Sequence, residues 1–327
     1  MNIHLFWKRR SKSASRGSIE DSLHRERFFR RVRPYAYLAP ALTSMAVLSF
    51  LPIAYTVYVA FTDMSLYRFD KYNFIGFGNL VELFAGPFSK VFLPVFTWTV
   101  VFAALTTILN YALGLFLAIL LNNPHLKESN VYRAILIIPW ALPGTIAILS
   151  WTGVLNVSFG PVNTFLKMMG LTPVPWLTNP LWAKISILLV NLWLGYPFMM
   201  SACLGGLQSI SAELYEAADI DGASSWQKFK YVTFPMLMRF SIPLLISTFA
   251  YNFNNFGMVF LLTGGGPPRL DTSFAGTTDI MATFSYKLTL QFYRYGLAGM
   301  MSMVMFLIVG TLTLIQMKLT NAFAEVD

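Results

Sequence analysis

Charge is scarce in this sequence: Asp, Glu, Lys and Arg make up 12% of its 327 residues, about half the share usual in soluble domains. A water-exposed globule of this size is therefore excluded. Cysteine occurs once, as Cys203 inside an apolar run, which excludes a disulfide framework and a thiolate metal site. The three histidines, His4, His24 and His125, are scattered, with no His-Glu-x-x-His or similar spacing, so no metal site is expected. No Gly-x-x-x-x-Gly-Lys-Ser/Thr loop occurs, so the chain carries no nucleotide site of its own. A second domain and an internal repeat are also missing from the pattern.

What is present is apolar, and it is blocked. Hydrophobic residues reach 56% and aromatics 16%. They gather in six runs, approximately 38–61, 93–121, 134–155, 185–204, 237–262 and 297–317. Each is long enough for a helix to cross the hydrocarbon core, which takes about 20 residues. Backbone groups cannot stay unpaired in lipid, so the fold class is all-α: a polytopic bundle of six transmembrane helices in a bilayer. The domain reading is a basic segment 1–36, a membrane domain 37–320 and a short tail 321–327.

A net charge of +9 could point to nucleic acid, but ten of the 24 Lys and Arg residues precede Pro34. That placement fits the positive-inside rule and no nucleic-acid partner is expected. With the N-terminus inside, sixteen basic residues fall on the cytoplasmic side and eight on the other, so both termini are placed in the cytoplasm. The N-terminus is too charged before its first apolar run for a cleaved signal and is read as retained. The segment 25–33, with Phe28 and Phe29 among arginines, reads as a topological anchor that can lie on anionic lipid.

The six runs contain no Asp, Glu or His. Proton-driven carriers keep such groups at membrane depth, so a self-sufficient carrier is disfavoured, and no residue cluster supports an integral-membrane enzyme. A transporter built this way must take its energy from elsewhere. The loop between the fourth and fifth runs is the place for it. Ser211 can cap a short helix that Asp221-Gly222 ends, and Ser224 with Gln227 fits a capping box that opens a second. Pro235 marks entry into the fifth span.

Two polar stripes lie on the flanking spans. Asn191, Leu194, Gly195 and Phe198 share one helical face by their spacing, and Thr248, Tyr251, Asn252 and Asn255 repeat it on the next. Amides pair with hydroxyls and rings stack on the C–H face of a sugar. The same amides can also be interhelical glue, and spacing alone leaves both readings open. Asn110, without a companion stripe, reads as glue. Pro197 can kink the fourth span, and Cys203 is packing.

Within the loop 211–235, the order Glu216-Ala217-Ala218, three residues, Gly222, nine residues, Val232, one residue, Phe234-Pro235 resembles the EAA loop of binding-protein-dependent ABC importer permeases. Val232 and Phe234 stand where that pattern has Ile and Leu. The resemblance implies a MetI-like permease core, not an enzyme, with Glu216, Ala217, Ala218, Asp221 and Gly222 on a coupling helix seated against an ATPase. Glu216 would then meet a basic residue of that ATPase, and Gly222 would allow close approach. ATP and Mg would be bound by that partner and no cofactor by this chain.

From Phe61 to Lys318 the chain also resembles the larger, MalF-type permease subunit of maltose and maltodextrin importers. The likeness is strongest in Phe92-Leu93-Pro94-Val95-Phe96, Leu120-Leu121-Asn122-Asn123, Ile137-Ile138-Pro139-Trp140-Ala141, Phe159-Gly160-Pro161-Val162-Asn163 and Phe253-Asn254-Asn255-Phe256. It implies that the two stripes hold an oligosaccharide, with maltodextrin first and another sugar or a uronate oligosaccharide as the alternative. It further implies a second homologous permease, two ATPase subunits, an extracytoplasmic solute-binding protein, and a bacterial or archaeal cytoplasmic membrane. Phe198, Thr248 and Tyr251 depart from that family's Tyr, Ser and Phe, which moves the phenol from one helix to the other.

Overall fold

A computed structural model describes residues 33–123, 125–271 and 274–319 of the chain. The basic segment 1–36 lies outside the described residues up to residue 32, which takes in nearly all of the stretch 25–33, and so does the tail 321–327.

The first run forms one long helix, α1 (Arg33–Ala60). Residues through Tyr58 make one structural unit and those from Val59 onward a second. Leu38, Leu42, Leu48, Leu51 and Ile53 stand exposed along α1, an apolar exterior suited to lipid tails. Its turn Ala46–Phe50 is widened, with the Leu51 N–H bonded five residues back to Ala46. Pro52 follows at once; it has no N–H to give and its ring crowds the carbonyl four residues back, so a wider turn relieves the clash.

In the second unit the helices are α2 (Gly78–Phe84), α3 (Ser89–Leu121), α4 (Ser129–Ala141), α5 (Gly144–Val154), α6 (Pro161–Met168), α7 (Pro180–Gln208) and α8 (Ala212–Ile220). They are followed by α9 (Ser225–Phe253), α10 (Phe256–Thr263), α11 (Met281–Leu290) and α12 (Tyr295–Leu319). Start signals are local. Asn179 caps α7 by accepting from the Leu181 and Trp182 N–H groups at 3.0 and 3.3 Å, and Pro180 takes the first helical position, where no donor is needed. α7 then runs unbroken through Pro197 to Gln208.

Two of the six expected spans are not single rods. The third run breaks at Leu142-Pro143 into α4 and α5, which meet at 89°; Pro143 disfavours helix at the residue before it, and Leu142 is extended with ψ of 143°. The fifth run breaks after Phe253, where Asn254 and Asn255 leave the helix and α10 begins. Short amides compete with the helical backbone for its hydrogen bonds and favour such junctions. α1, α3, α7, α9 and α12 are each long and apolar enough to cross a membrane, and the bent pair makes a sixth, broken segment.

Packing follows the apolar faces. Tyr111, Ala118 and Leu121 of α3 meet Met199, Met200, Cys203 and Leu207 of α7 and Leu237 of α9. Farther along, Trp98 and Phe102 pack with Ile187, Val190, Ile148, Met258 and Val259. A third cluster joins Leu83, Phe92, Phe284, Leu288, Leu297 and Met301. Asp279 ties down the end of the connection that leads into α11. Asp279, fully buried, accepts from the Gly276 N–H at 2.6 Å, Thr283 Oγ1 at 2.9 Å and Lys287 Nζ at 2.6 Å. Burial pushes its carboxyl above the ordinary carboxylate range, and Lys287 opposes that shift. Removing one partner of a buried pair strands the other, so Asp279→Ala is expected to destabilise the protein by about 3–5 kcal/mol. Asp271→Ala, which removes a pair whose carboxylate is 59% exposed, should cost about 0–1 kcal/mol. Thermal unfolding of the two detergent-purified variants compares them.

Candidate functional site

A cavity of about 650 Å³ lies among α3, α4, α5, α7, α9 and α10, within the size range of small-molecule sites. All eight residues of the two stripes line it: Asn191, Leu194, Gly195 and Phe198 from α7, and Thr248, Tyr251, Asn252 and Asn255 from the other side. Asn255 reaches the wall by a different route from the one its spacing predicts. It sits beyond the end of α9 and caps α10, accepting from the Met258 N–H at 3.3 Å. Among the described residues no charged side chain lines the cavity.

The amides form a chain. Asn110 Nδ2 donates to Asn191 Oδ1 at 3.0 Å, and Asn191 Nδ2 donates to Asn252 Oδ1 at 3.1 Å. Asn255 Nδ2 reaches Asn252 Oδ1 at 3.5 Å. Three helices and the head of a fourth are thereby stitched together at the cavity wall. Asn191 has a partner on both polar atoms and is 6% exposed, so it is a packing residue as much as a lining one; the two roles fall on the same side chain.

Aromatic surface is supplied from three elements. Phe198 is 41% and Tyr251 70% exposed, and Trp140 of α4 tilts against Phe198 with ring centroids 6.2 Å apart. Such half-open rings beside amides offer stacking faces for flat apolar patches of a ligand. Tyr196 holds the frame by donating from its hydroxyl to the Leu136 carbonyl at 3.0 Å, which ties α7 to α4 just before the bend.

Trp140, Ser247 and Asn110 also line the cavity, and residue spacing did not single them out. Trp140 had a local signal in Pro143, which brings α4 to an end just after it. Asn110 had none, because one amide on a helix has no period.

The helix pair expected between the spans is present. Ser211 accepts from the Glu213 N–H at 3.3 Å to cap α8, which continues to Ile220. Asp221 ends it and Gly222 turns the chain with φ of 74°, a region that favours glycine. Among the described residues nothing approaches Gly222 where a Cβ would stand, so its local role is the turn. Ser224 and Gln227 form the reciprocal capping box at 2.8 and 3.4 Å. The second helix is not a separate element; it is the first turn of α9, which runs on through a widened turn, Phe229–Thr233. The proline that follows is Pro235, the same arrangement as in α1.

Two side-chain contacts make the pair rigid. Tyr215 and Thr233 hydroxyls lie 2.9 Å apart, and Asp219 pairs with Lys228. Glu216, Ala217, Asp221 and Gly222 are exposed and Ala218 is half-buried. Glu216 has no ion-pair partner among the described residues.

A bundle of membrane-length helices around a polar cavity without charge, with a helix pair continuous with one wall, fits a membrane transport component. The model of the family described as the binding-protein-dependent transport system inner membrane component matches residues 110–322, and the chain belongs to that family. It is 37% identical over 297 residues to the galactooligosaccharides transport system permease protein GanP of Bacillus subtilis, covering 89% of this chain and 71% of that one. To the maltodextrin transport system permease protein MalC of Streptococcus pneumoniae it is 34% identical over 307 residues, 90% of this chain and 70% of that one. To the maltose/maltodextrin transport system permease protein MalF of Klebsiella aerogenes it is 42% identical over 253 residues, covering 76% of this chain and 49% of the relative. In fold it matches the crystal structure of a bacterial ABC transporter involved in the import of the acidic polysaccharide alginate. The TM-score is 0.75 at 24% identity, over 90% of this chain and 99% of that one. The chain is therefore an ABC importer permease, not itself an enzyme.

Proposed function

We propose that the chain is one of two permeases in an ATP-driven importer and that it passes a neutral oligosaccharide, maltodextrin first among them, through the cavity between α7 and α9. The observation that carries this reading is the cavity's chemistry: amides, a threonine and three aromatic rings, with no charged side chain in the wall. A uronate chain carries one carboxylate per sugar and calls for cations, which this wall lacks. The named relatives that transport galactooligosaccharides and maltodextrins support a sugar cargo.

In this reading both termini face the cytoplasm, and an extracytoplasmic solute-binding protein delivers the sugar from the opposite side. Two ATPase subunits, which bind ATP and Mg, dock below; one of them receives α8 through Glu216, Ala217, Ala218, Asp221 and Gly222. α8 is clamped to the first turns of α9, and α9 runs without interruption to Asn252. Closure of the ATPases then moves the wall that holds the sugar, which is how the site changes the side it opens to. The test is uptake by proteoliposomes holding the full complex and its binding protein, across neutral maltodextrins, galactooligosaccharides and oligouronates. ATP-dependent uptake of maltodextrin is expected; uptake of the oligouronate alone would overturn the neutral-cargo reading.

A further inference from the structure

A hydroxyl inside a helix can give its proton to the carbonyl one turn back, and α3 follows that habit. Thr97, Thr99, Thr106 and Thr107 each donate to the carbonyl four residues before them at 2.7–2.8 Å. Ser247 of α9 does not. The carbonyl it would use, that of Pro243, receives Gln316 Nε2 of α12 at 3.0 Å, and the same nitrogen donates to Ser247 Oγ at 2.8 Å. Ser247 thus accepts from α12 and gives its own proton to no acceptor among the described residues. It is exposed and lines the cavity.

We propose that Ser247 is a further cargo-binding residue and that Gln316 of α12 positions it, so that the serine proton is offered to a hydroxyl or glycosidic oxygen of the sugar. This rests on the reading that the cavity holds the cargo.

A carboxamide nitrogen has two protons and can serve two acceptors, whereas a hydroxyl has one proton and two lone pairs. Gln316 sets one proton on the Pro243 carbonyl and the other on Ser247 Oγ, and so occupies both ends of the bond that the serine would otherwise close within α9. A hydroxyl proton without an acceptor is costly in an apolar medium. A serine turned to lipid tails would therefore return to Pro243, and one turned to a wet cavity need not. Along α9, Leu244, Ser247 and Tyr251 are spaced three and four residues apart and form one edge of the wall, with Thr248 and Asn252 beside them. Ser247 lies about 7.5 Å before Asn252 along the helix, and it extends the polar contacts toward the end of α9 that is fastened to α8. No described residue of α12 lines the cavity, yet through Gln316 that helix acts on the cargo.

The experiment is equilibrium binding of labelled maltodextrin and of labelled galactooligosaccharide to the detergent-purified complete transporter without its binding protein, which reads the cavity alone. Ser247→Ala is expected to weaken the tighter of the two about three- to tenfold, the range of one neutral hydrogen bond. Ser247→Thr, which keeps the hydroxyl, should retain most of the native affinity. Gln316→Leu frees the Pro243 carbonyl, so that Ser247 turns back to it and binding weakens by up to the same factor. In the Ser247→Ala background the same change should add nothing, because the glutamine acts through the serine. A purely structural Gln316 would weaken binding equally in both backgrounds. Native affinity in Ser247→Ala, or losses that multiply in the double variant, would overturn the proposal; if Gln316→Leu fails to assemble, Ser247→Ala against Ser247→Thr decides it. A native transporter that binds neither sugar marks failure of the cavity reading itself, and the inference falls with it.

Discussion

Glu216→Lys should stop transport while leaving the membrane domain folded. Glu216 is exposed and has no side-chain hydrogen bond or ion pair among the described residues, since the contacts that fasten α8 to α9 run through Tyr215, Thr233, Asp219 and Lys228. Its replacement therefore leaves the caps, the turn at Gly222 and the helix pair intact. What changes is the surface offered to the ATPase, where a lysine brings a cation against the basic group expected there. Loss of one member of an interfacial charge pair costs about 2–5 kcal/mol, and reversal adds repulsion, so uptake should fall by at least about thirtyfold. Co-purification of the ATPase with the permease pair is the check. Weakened capture with an unchanged melting profile of the permease pair is the expected result; normal capture and uptake would remove α8 from its coupling role.

The second large effect is expected from Asn191→Leu. Asn191 is the middle of the amide chain, and an apolar replacement strands Asn110 Nδ2 on one side and takes a donor from Asn252 Oδ1 on the other. A buried polar group left unpaired costs about 1–3 kcal/mol. Interhelical hydrogen bonds in membranes contribute about 0.6 kcal/mol on average, so the stranded Asn110 amide dominates, because Asn252 Oδ1 keeps Asn255 Nδ2. Both stability and sugar uptake should drop, whereas Phe198→Leu, which removes no hydrogen bond of the amide chain, should lower uptake and spare the melting temperature. Equal melting profiles for the native protein and Asn191→Leu would show that the chain does not hold the helices.

The helical class, the six apolar segments and the loop caps at Ser211 and Ser224 were legible because each is a local matter of composition or spacing. The breaks were less so. Leu142-Pro143 sits within a continuous apolar stretch, and a hydropathy window averages the two amides at Asn254-Asn255 with their apolar flanks. The cavity residues were legible only where they repeat on one helix. Asn255 met the period by coincidence, since the helix ends before it. Trp140 and Asn110 join the wall through the bend at Pro143 and the absent side chain at Gly195, and contacts between distant segments leave no period in a sequence.

The central claim is that the two stripes face a common sugar, and site-directed labelling tests it most directly. The chain's single cysteine, Cys203, is fully buried, so its background labelling should be low. In the assembled importer, Thr248→Cys and Phe198→Cys should react with a small thiol reagent, and saturating maltodextrin with its binding protein should slow both. Ile220→Cys, 88% exposed on α8, should be indifferent to sugar. Unchanged labelling of both cavity cysteines while the same vesicles take up maltodextrin would contradict the account.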